Sequence, residues 1–348
     1  MHLQFDVALR GPTSTGHEME STKPHPAAPT TDTPLLVLAA PRSFSSVVSS
    51  MIGQHPQMYG LPELELFSAN TIAEWWRLCS VATFPRAHGT LRAISQLYFG
   101  EQTEATVRRA RGWLTRRSHC TTGFLIEMFA RKVSPRILVE KSTTTVYQIE
   151  TMHQAYRMFP EARFLHLVRH PRAQGESVLR FLEQREKEGA VSGKHWMRRL
   201  ASKPVLDSEF AHGMRRPPVP VDPQRAWFTL NNNVSEFLKS VPEERKLLVR
   251  GEDLLANPNR GLAEIANWMG LRTDSEAIDA MKHPERSPYA CFGPPGARFG
   301  NDRLFLEKPA LRPERGQSQS LEGPLEWRSD NHGFLPETKE LAEQFGYV

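Results

Sequence analysis

The chain has 348 residues, 39% of them hydrophobic, with 44 Lys and Arg against 39 Asp and Glu for a formal net charge of +5. That is ample apolar material for one large α/β domain or two smaller ones, and a mild basic excess interleaved with acids fits an anionic ligand better than a nucleic-acid partner. Cys79, Cys120 and Cys291 form neither a CxxC pair nor a Cys/His ligand pattern, and no apolar run has the length of a signal or a membrane span, so a disulfide framework, a zinc site and a membrane partner are excluded and a reducing, cytoplasmic setting is expected.

Residues 1–33, rich in Thr, Pro, His, Ser and Gly, are expected to form a disordered arm or linker, and residues 34–348 a single domain. An apolar run of strand length, residues 35–40, stops at Pro41. A hydroxyl-rich turn follows, Arg42, Ser43, Phe44, Ser45 and Ser46, and then Val47, Val48, Met51 and Ile52 fall at helical spacing before Gly53, a C-cap signal. Strand, short turn, helix is a geometry in which backbone N–H groups and a helix N-terminus converge on an anion, and Arg42 adds a planar, permanently charged fork. The plain alternative is a turn whose serines only cap the helix. The chain next bends through Pro56, Gly60 and Pro62 and delivers two carboxylates, Glu63 and Glu65, a short path from this cradle. Two or three helices are expected over residues 90–132. Their basic faces, with Arg108, Arg109, Arg111, Arg116 and Arg117, read as solvated, contact with an acidic partner being the other reading.

A second strand, residues 136–140, ends at Lys141 in another hydroxyl-rich turn, and Val146, Ile149, His153 and Tyr156 mark the next helix, with His153 on its packed face. A third strand, residues 163–168, ends at Arg169, His170 and Pro171; Pro171 suits the first turn of a helix that carries Ser177 two turns in. This alternation predicts an α/β fold with a central parallel sheet flanked by helices, in which ligands bind outside the carboxyl ends of the strands. Arg42, Lys141 and Arg169 all stand just after such ends. Residues 183–223 break the rhythm and read as an inserted flap. A helix from Gln224, a fourth strand over residues 246–249, a helix through Ile265, Trp268 and Met269, and a last helix over residues 337–345 complete the pattern.

These residues carry a family resemblance. The turn from Arg42 to Ser46 resembles the 5′-phosphosulfate loop of sulfotransferases that use 3′-phosphoadenosine-5′-phosphosulfate, and Arg169 with Ser177, eight residues on, resembles their 3′-phosphate site. The resemblance covers about residues 34–272. The wording of residues 55–67 and 325–328 is most similar to the sulfotransferase domains of polyketide and olefin synthases, which act on the β-hydroxyl of an acyl chain held on an acyl carrier protein.

The resemblance implies a P-loop-like sulfotransferase fold with that flap inserted. It implies transfer of a sulfuryl group from 3′-phosphoadenosine-5′-phosphosulfate to an acceptor hydroxyl, leaving 3′-phosphoadenosine-5′-phosphate and requiring no metal. The acceptor is a carrier-bound β-hydroxyacyl chain, with a free small-molecule, carbohydrate or tyrosyl hydroxyl as alternatives, and no nucleic acid takes part. Lys141 matches a lysine near the leaving oxygen and Glu63 a glutamate base, with Glu65 or a histidine also open as the base; Arg42, Ser43, Phe44, Ser45, Ser46, Arg169 and Ser177 match the nucleotide site. The family's Gly-Thr is replaced by Phe44-Ser45, and its Arg-Lys-Gly segment is absent, leaving Arg298 or Arg303 to complete the 3′-phosphate site. A P-loop kinase would need glycines and a lysine that this turn lacks. A non-catalytic anion-binding domain would keep Arg42 and Arg169 without needing Lys141 or Glu63.

Overall fold

Alternation along one strand sets the architecture. In β1 (Leu35–Ala39) every residue is buried, and successive side chains enter opposite layers, Leu36 and Leu38 one and Leu35, Val37 and Ala39 the other. A strand apolar on both faces belongs in the middle of a parallel sheet covered by helices on each side. The computed structural model describes residues 33–82, 86–187, 222–311 and 319–348. The expected arm, but for Thr33, and residues 188–221 of the expected flap lie outside them.

Five strands form one parallel sheet: β1, β2 (Met58–Gly60), β3 (Ile137–Glu140), β4 (Arg163–Val168) and β5 (Lys246–Arg250), in the order β2-β3-β1-β4-β5. The register aligns Leu36 with Glu140 and Ala39 with Leu167, so β4 ends one residue beyond β1 and β3 three residues short of it, toward the same side of the sheet. Four strands stand where periodicity places them. β2 does not announce itself, because three residues among Pro56, Gly60 and Pro62 carry too little pattern; it exists by pairing Met58 with Ile137 and Gly60 with Val139.

α1 (Ser45–Ile52) follows β1. The segment up to β3 carries α2 (Ile72–Val81), α3 (His88–Phe99), α4 (Glu104–Thr115) and α5 (Thr122–Val133). α6 (Ile149–Met158) precedes β4, and α7 (Pro171–Lys187) and α8 (Pro223–Leu238) follow it. α9 (Gly251–Ala256), α10 (Pro258–Trp268), α11 (Ser275–Met281), α12 (Arg303–Glu307) and α13 (Pro336–Gln344) complete the chain. The single helix expected after β5 is two, because Pro258 starts a second helix whose first turn Asn257 caps.

One core layer packs Leu36 and Leu38 against Trp75, Leu91, Phe129, Phe164 and Phe237; the other packs Leu35 and Val37 against Met51, Leu254, Ile265 and Met281. Gly53 ends α1, but with φ −66° it does not serve as a left-handed cap. It is needed for closeness: a Cβ there would overlap the Gly60 Cα of β2. Among the described residues no helix is long and apolar enough to cross a membrane.

Candidate functional site

The turn between β1 and α1 is strained twice over. Arg42 has φ 71° and Phe44 φ 62°, both left-handed and neither glycine, at a cost on the order of 1–2 kcal/mol each. α1 has no side-chain cap, and the amides of its first turn have no partner within the helix. Ser43 Oγ is buried without a hydrogen-bond partner. An uncapped helix start, an orphaned hydroxyl and a strained backbone together make a cradle for an anion.

Arg42 itself is drawn three ways. Its guanidinium pairs with the Asp302 carboxylate, its Nε donates to Ser177 Oγ at 3.2 Å, and its carbonyl accepts from Arg169 at 2.9 Å. The Arg169 guanidinium lies over the Phe44 ring, 4.0 Å from its centroid, and the far side of that ring rests on Gly251, where a Cβ would collide with it. Phe44 is therefore the platform that flattens Arg169 against the turn. Ser177 meets Arg42, whose carbonyl Arg169 holds, so Arg42 joins the two residues matched to the 3′-phosphate site. Asp302 has no signal of its own in the sequence: it lies 260 residues from Arg42. Arg298 lies over Phe292 at 5.0 Å and Arg303 pairs with Glu307 at 2.9 Å.

Lys141, at the end of β3, is buried at 1% exposure and bridges two parts of the site. Its Nζ donates to Ser46 Oγ at 3.0 Å and pairs with Glu63, whose side chain is 23% exposed. Ser46 Oγ also accepts the Asp302 amide at 3.2 Å. Both of its lone pairs are then engaged, which leaves its proton to donate toward the cradle.

The segment carrying Glu63 is pinned from several sides. The Glu63 amide donates to the Gly300 carbonyl at 2.7 Å, the Leu64 carbonyl accepts Thr90 Oγ1 at 2.7 Å, and the Glu65 amide donates to Ser142 Oγ at 2.8 Å. Gly89 permits the approach, since a Cβ there would overlap the Glu63 carbonyl. Glu65, with φ 59°, turns inward, is fully buried and accepts from Thr144 Oγ1. Burial, reinforced by the Glu63 charge, pushes its carboxyl up to about 7. Glu140 accepts from Ser142 Oγ and from the Leu64 amide; burial pushes it up to about 7 as well, those hydrogen bonds working the other way.

Five histidines are held by their neighbours. His166 meets Asn231 Oδ1 at 3.1 Å, His170 Nδ1 accepts the Arg172 amide at 3.2 Å, and burial lowers both to about 4, with the Arg172 charge adding to the effect at His170. His88, at the start of α3, accepts the Phe299 amide at 3.2 Å and is lowered to about 4 by burial and by Arg111 and Arg92. His55 is held between the Arg272 carbonyl and the Gln57 amide, and His153 packs edge-on against Phe237.

A raised carboxyl pKa in the folded state means that the fold binds the proton more tightly than the unfolded chain. The associated stability is fully present below about pH 4.5 and is lost as pH rises through about 7. The buried histidines act in the opposite sense between about pH 4 and 6.5, so the clean measurement is a difference. Glu140→Gln is expected to gain stability relative to the parent between pH 5 and pH 8, at about 1.4 kcal/mol per unit of lost shift. Urea unfolding at the two pH values measures it, and a difference that does not change with pH contradicts the burial of an acid at this position.

Fold and site together define a parallel α/β protein with an uncapped helix start at the end of its central strand, beside a buried lysine paired to a half-buried carboxylate. The comparisons with known proteins give that class its family. The sulfotransferase family profile matches residues 34–275, and the chain belongs to that family. No curated protein sequence matches it significantly. Among solved structures it is similar to the sulfotransferase domain from the curacin biosynthetic pathway, at 20% identity over 91% of this chain and 98% of that one, with a TM-score of 0.68. It is also similar to the sulfotransferase domain from the Synechococcus PCC 7002 olefin synthase, at 22% identity over 94% and 99% of the two chains, with a TM-score of 0.63. At these identities the likeness speaks for the fold.

Proposed function

We propose that the protein transfers a sulfuryl group from 3′-phosphoadenosine-5′-phosphosulfate to the β-hydroxyl of an acyl chain carried on an acyl carrier protein. The observation that carries the reading is the Lys141 ammonium, which touches Ser46 of the anion cradle and Glu63 at once. A non-catalytic anion-binding domain has no use for a buried lysine joined to a solvent-reachable carboxylate.

The residues present fit the donor. Arg42, Ser43, Ser45, Ser46 and the first-turn amides of α1 supply the positive end of a phosphosulfate site, and Arg169 on its Phe44 platform, with Ser177, supplies the second. When bound, the nucleotide supplies the sulfuryl group on a phosphate leaving oxygen. Lys141 holds positive charge where negative charge grows on that oxygen. Glu63 takes the proton of the attacking hydroxyl; Glu65, fully buried and held by Thr144 Oγ1, is less accessible to an acceptor. Asp302 yields Arg42 to the incoming anion and keeps its place through Ser46 and the α12 cap.

The acceptor class rests on the wording of residues 55–67 and 325–328 and on the likeness to domains from the curacin pathway and an olefin synthase. The test is transfer of label from the donor to a β-hydroxyacyl carrier protein, to free hydroxy acids, to sugars and to phenols. Preferred labelling of the carrier-bound chain is the expected result, and a higher kcat/KM for a phenol or a sugar replaces the acceptor. The product nucleotide should raise Tm by about 4–8 °C at saturation; a shift with ATP–Mg²⁺ in its place overturns the donor.

A further inference from the structure

Many cations on this surface have an acid beside them, while, among the described residues, exposed Arg77, Arg157, Arg286 and Lys308 do not. Lys239 pairs with Glu236, Arg260 with Glu264, Arg272 with Asp274, Lys282 with Asp279 and Lys339 with Glu322. One face of α4 gathers such unpaired cations together. Arg108, Arg109 and Arg116 are exposed at i, i+1 and i+8, with Arg117 beside them, and among the described residues no carboxylate lies within ion-pair distance of any of the four.

These cations are nonetheless ordered. Arg109 lies over the Phe99 ring at 4.1 Å and Arg117 over the Trp113 ring at 3.8 Å, while Lys132 of α5 faces Tyr98 at 5.8 Å. Between them is a shallow depression of about 620 Å³, floored by Phe99, Ala105, Gly112 and Trp113. Like charges held together without a counter-charge repel one another, and an anionic partner relieves that repulsion.

We propose that this face of α4 docks an acidic helix of a partner protein, which on the carrier-bound reading above is the carrier domain that delivers the acyl chain. From Arg108 to Arg116 the face runs about 12 Å, the length of a helix-on-helix contact, at a rise of about 1.5 Å per residue. Its apolar floor accepts the ridge of an amphipathic helix while the arginines meet the flanking acids. A nucleic acid would call for a wider basic field than this one helix face. The position is also suitable: α3 has Gly89 against Glu63 and Phe99 in the floor of this depression, about 15 Å further along the helix.

The test uses the full chain and an acidic acyl carrier domain without its prosthetic arm, so that binding is read apart from turnover. The parent is expected to bind it at 50 mM salt and to lose at least tenfold in affinity at 300 mM, since screening acts on exposed charges. The triple variant Arg108→Glu, Arg109→Glu, Arg116→Glu is expected to lose at least tenfold at the lower salt while keeping its Tm and its response to 3′-phosphoadenosine-5′-phosphate. No binding by the parent, equal binding by the folded variant, or equally tight binding of duplex RNA or anionic phosphatidylserine vesicles through the same arginines overturns the proposal. Turnover by the parent of a β-hydroxyacyl chain on the loaded carrier domain at saturating concentration reports on the acceptor reading. Its absence overturns that reading, while binding of the bare carrier domain still decides the docking face.

Discussion

Glu63→Gln is expected to lower turnover by about 10²–10⁴, the range for removal of a positioned base, while leaving the affinity for 3′-phosphoadenosine-5′-phosphate within a few-fold of the parent. The substitution is nearly isosteric and retains a carbonyl oxygen to accept from Lys141, whose second bond, to Ser46 Oγ at 3.0 Å, does not involve Glu63. Lys141 is thus left charged and hydrogen-bonded, which spares the fold the full penalty of breaking a buried pair. What is lost is a basic oxygen at the solvent-reachable edge of the site. Glu65→Gln is the control: its carboxyl is buried against Thr144, away from the solvent-reachable edge, so the change leaves the Glu63 oxygen in place. Single-turnover kinetics beside calorimetric titration separate the two effects. Near-parental turnover in Glu63→Gln places the base elsewhere, and a larger loss in Glu65→Gln moves it two residues on.

Arg42→Ala is expected to have the largest effect on the nucleotide, weakening 3′-phosphoadenosine-5′-phosphate binding by about 10²–10³ and removing its thermal shift. A desolvated charged contact of this kind carries about 2–5 kcal/mol, and each 1.4 kcal/mol is tenfold. The left-handed backbone at position 42 costs alanine about what it costs arginine, so strain does not confuse the comparison. The substitution also releases Asp302, leaving a carboxylate beside the cradle that adds repulsion to the lost attraction. Arg42→Lys keeps the charge without the planar fork that bonds Ser177 and Asp302, and should fall between the two. An Arg42→Ala protein that binds the nucleotide within threefold of the parent contradicts the cradle.

Much of the site could be read from the chain, though not how its parts meet. The hydroxyl-rich turn with Arg42, the lysine after β3 and the arginine after β4 were visible because each follows an apolar strand-length run that ends abruptly. Glu63 stood out by its distance from His55 and Pro56 within a family wording. Phe44 had no account as a sequence letter, since its role is to lie under Arg169, a residue 125 positions away. That Ser177 and Arg169 both bond Arg42 is likewise invisible in their spacing. Glu140, beside Lys141, showed nothing of its hold on Leu64, because that hold depends on the pairing of β2 with β3.

What the sequence by itself determined was local. The identity of β1, β3, β4 and β5, the Asn257 cap and the α/β alternation follow from side chains acting within a turn or two of themselves. What only the tertiary structure decided was which of these meet: Lys141 with Glu63 across 78 residues, Arg42 with Ser177 across 135, and Arg42 with Asp302 across 260. Those meetings follow from the strand order β2-β3-β1-β4-β5, which flanks β1 with β3 and β4, their ends toward the same side of the sheet. The order is set by burying both faces of β1 at once, a property of the whole chain that no local pattern carries.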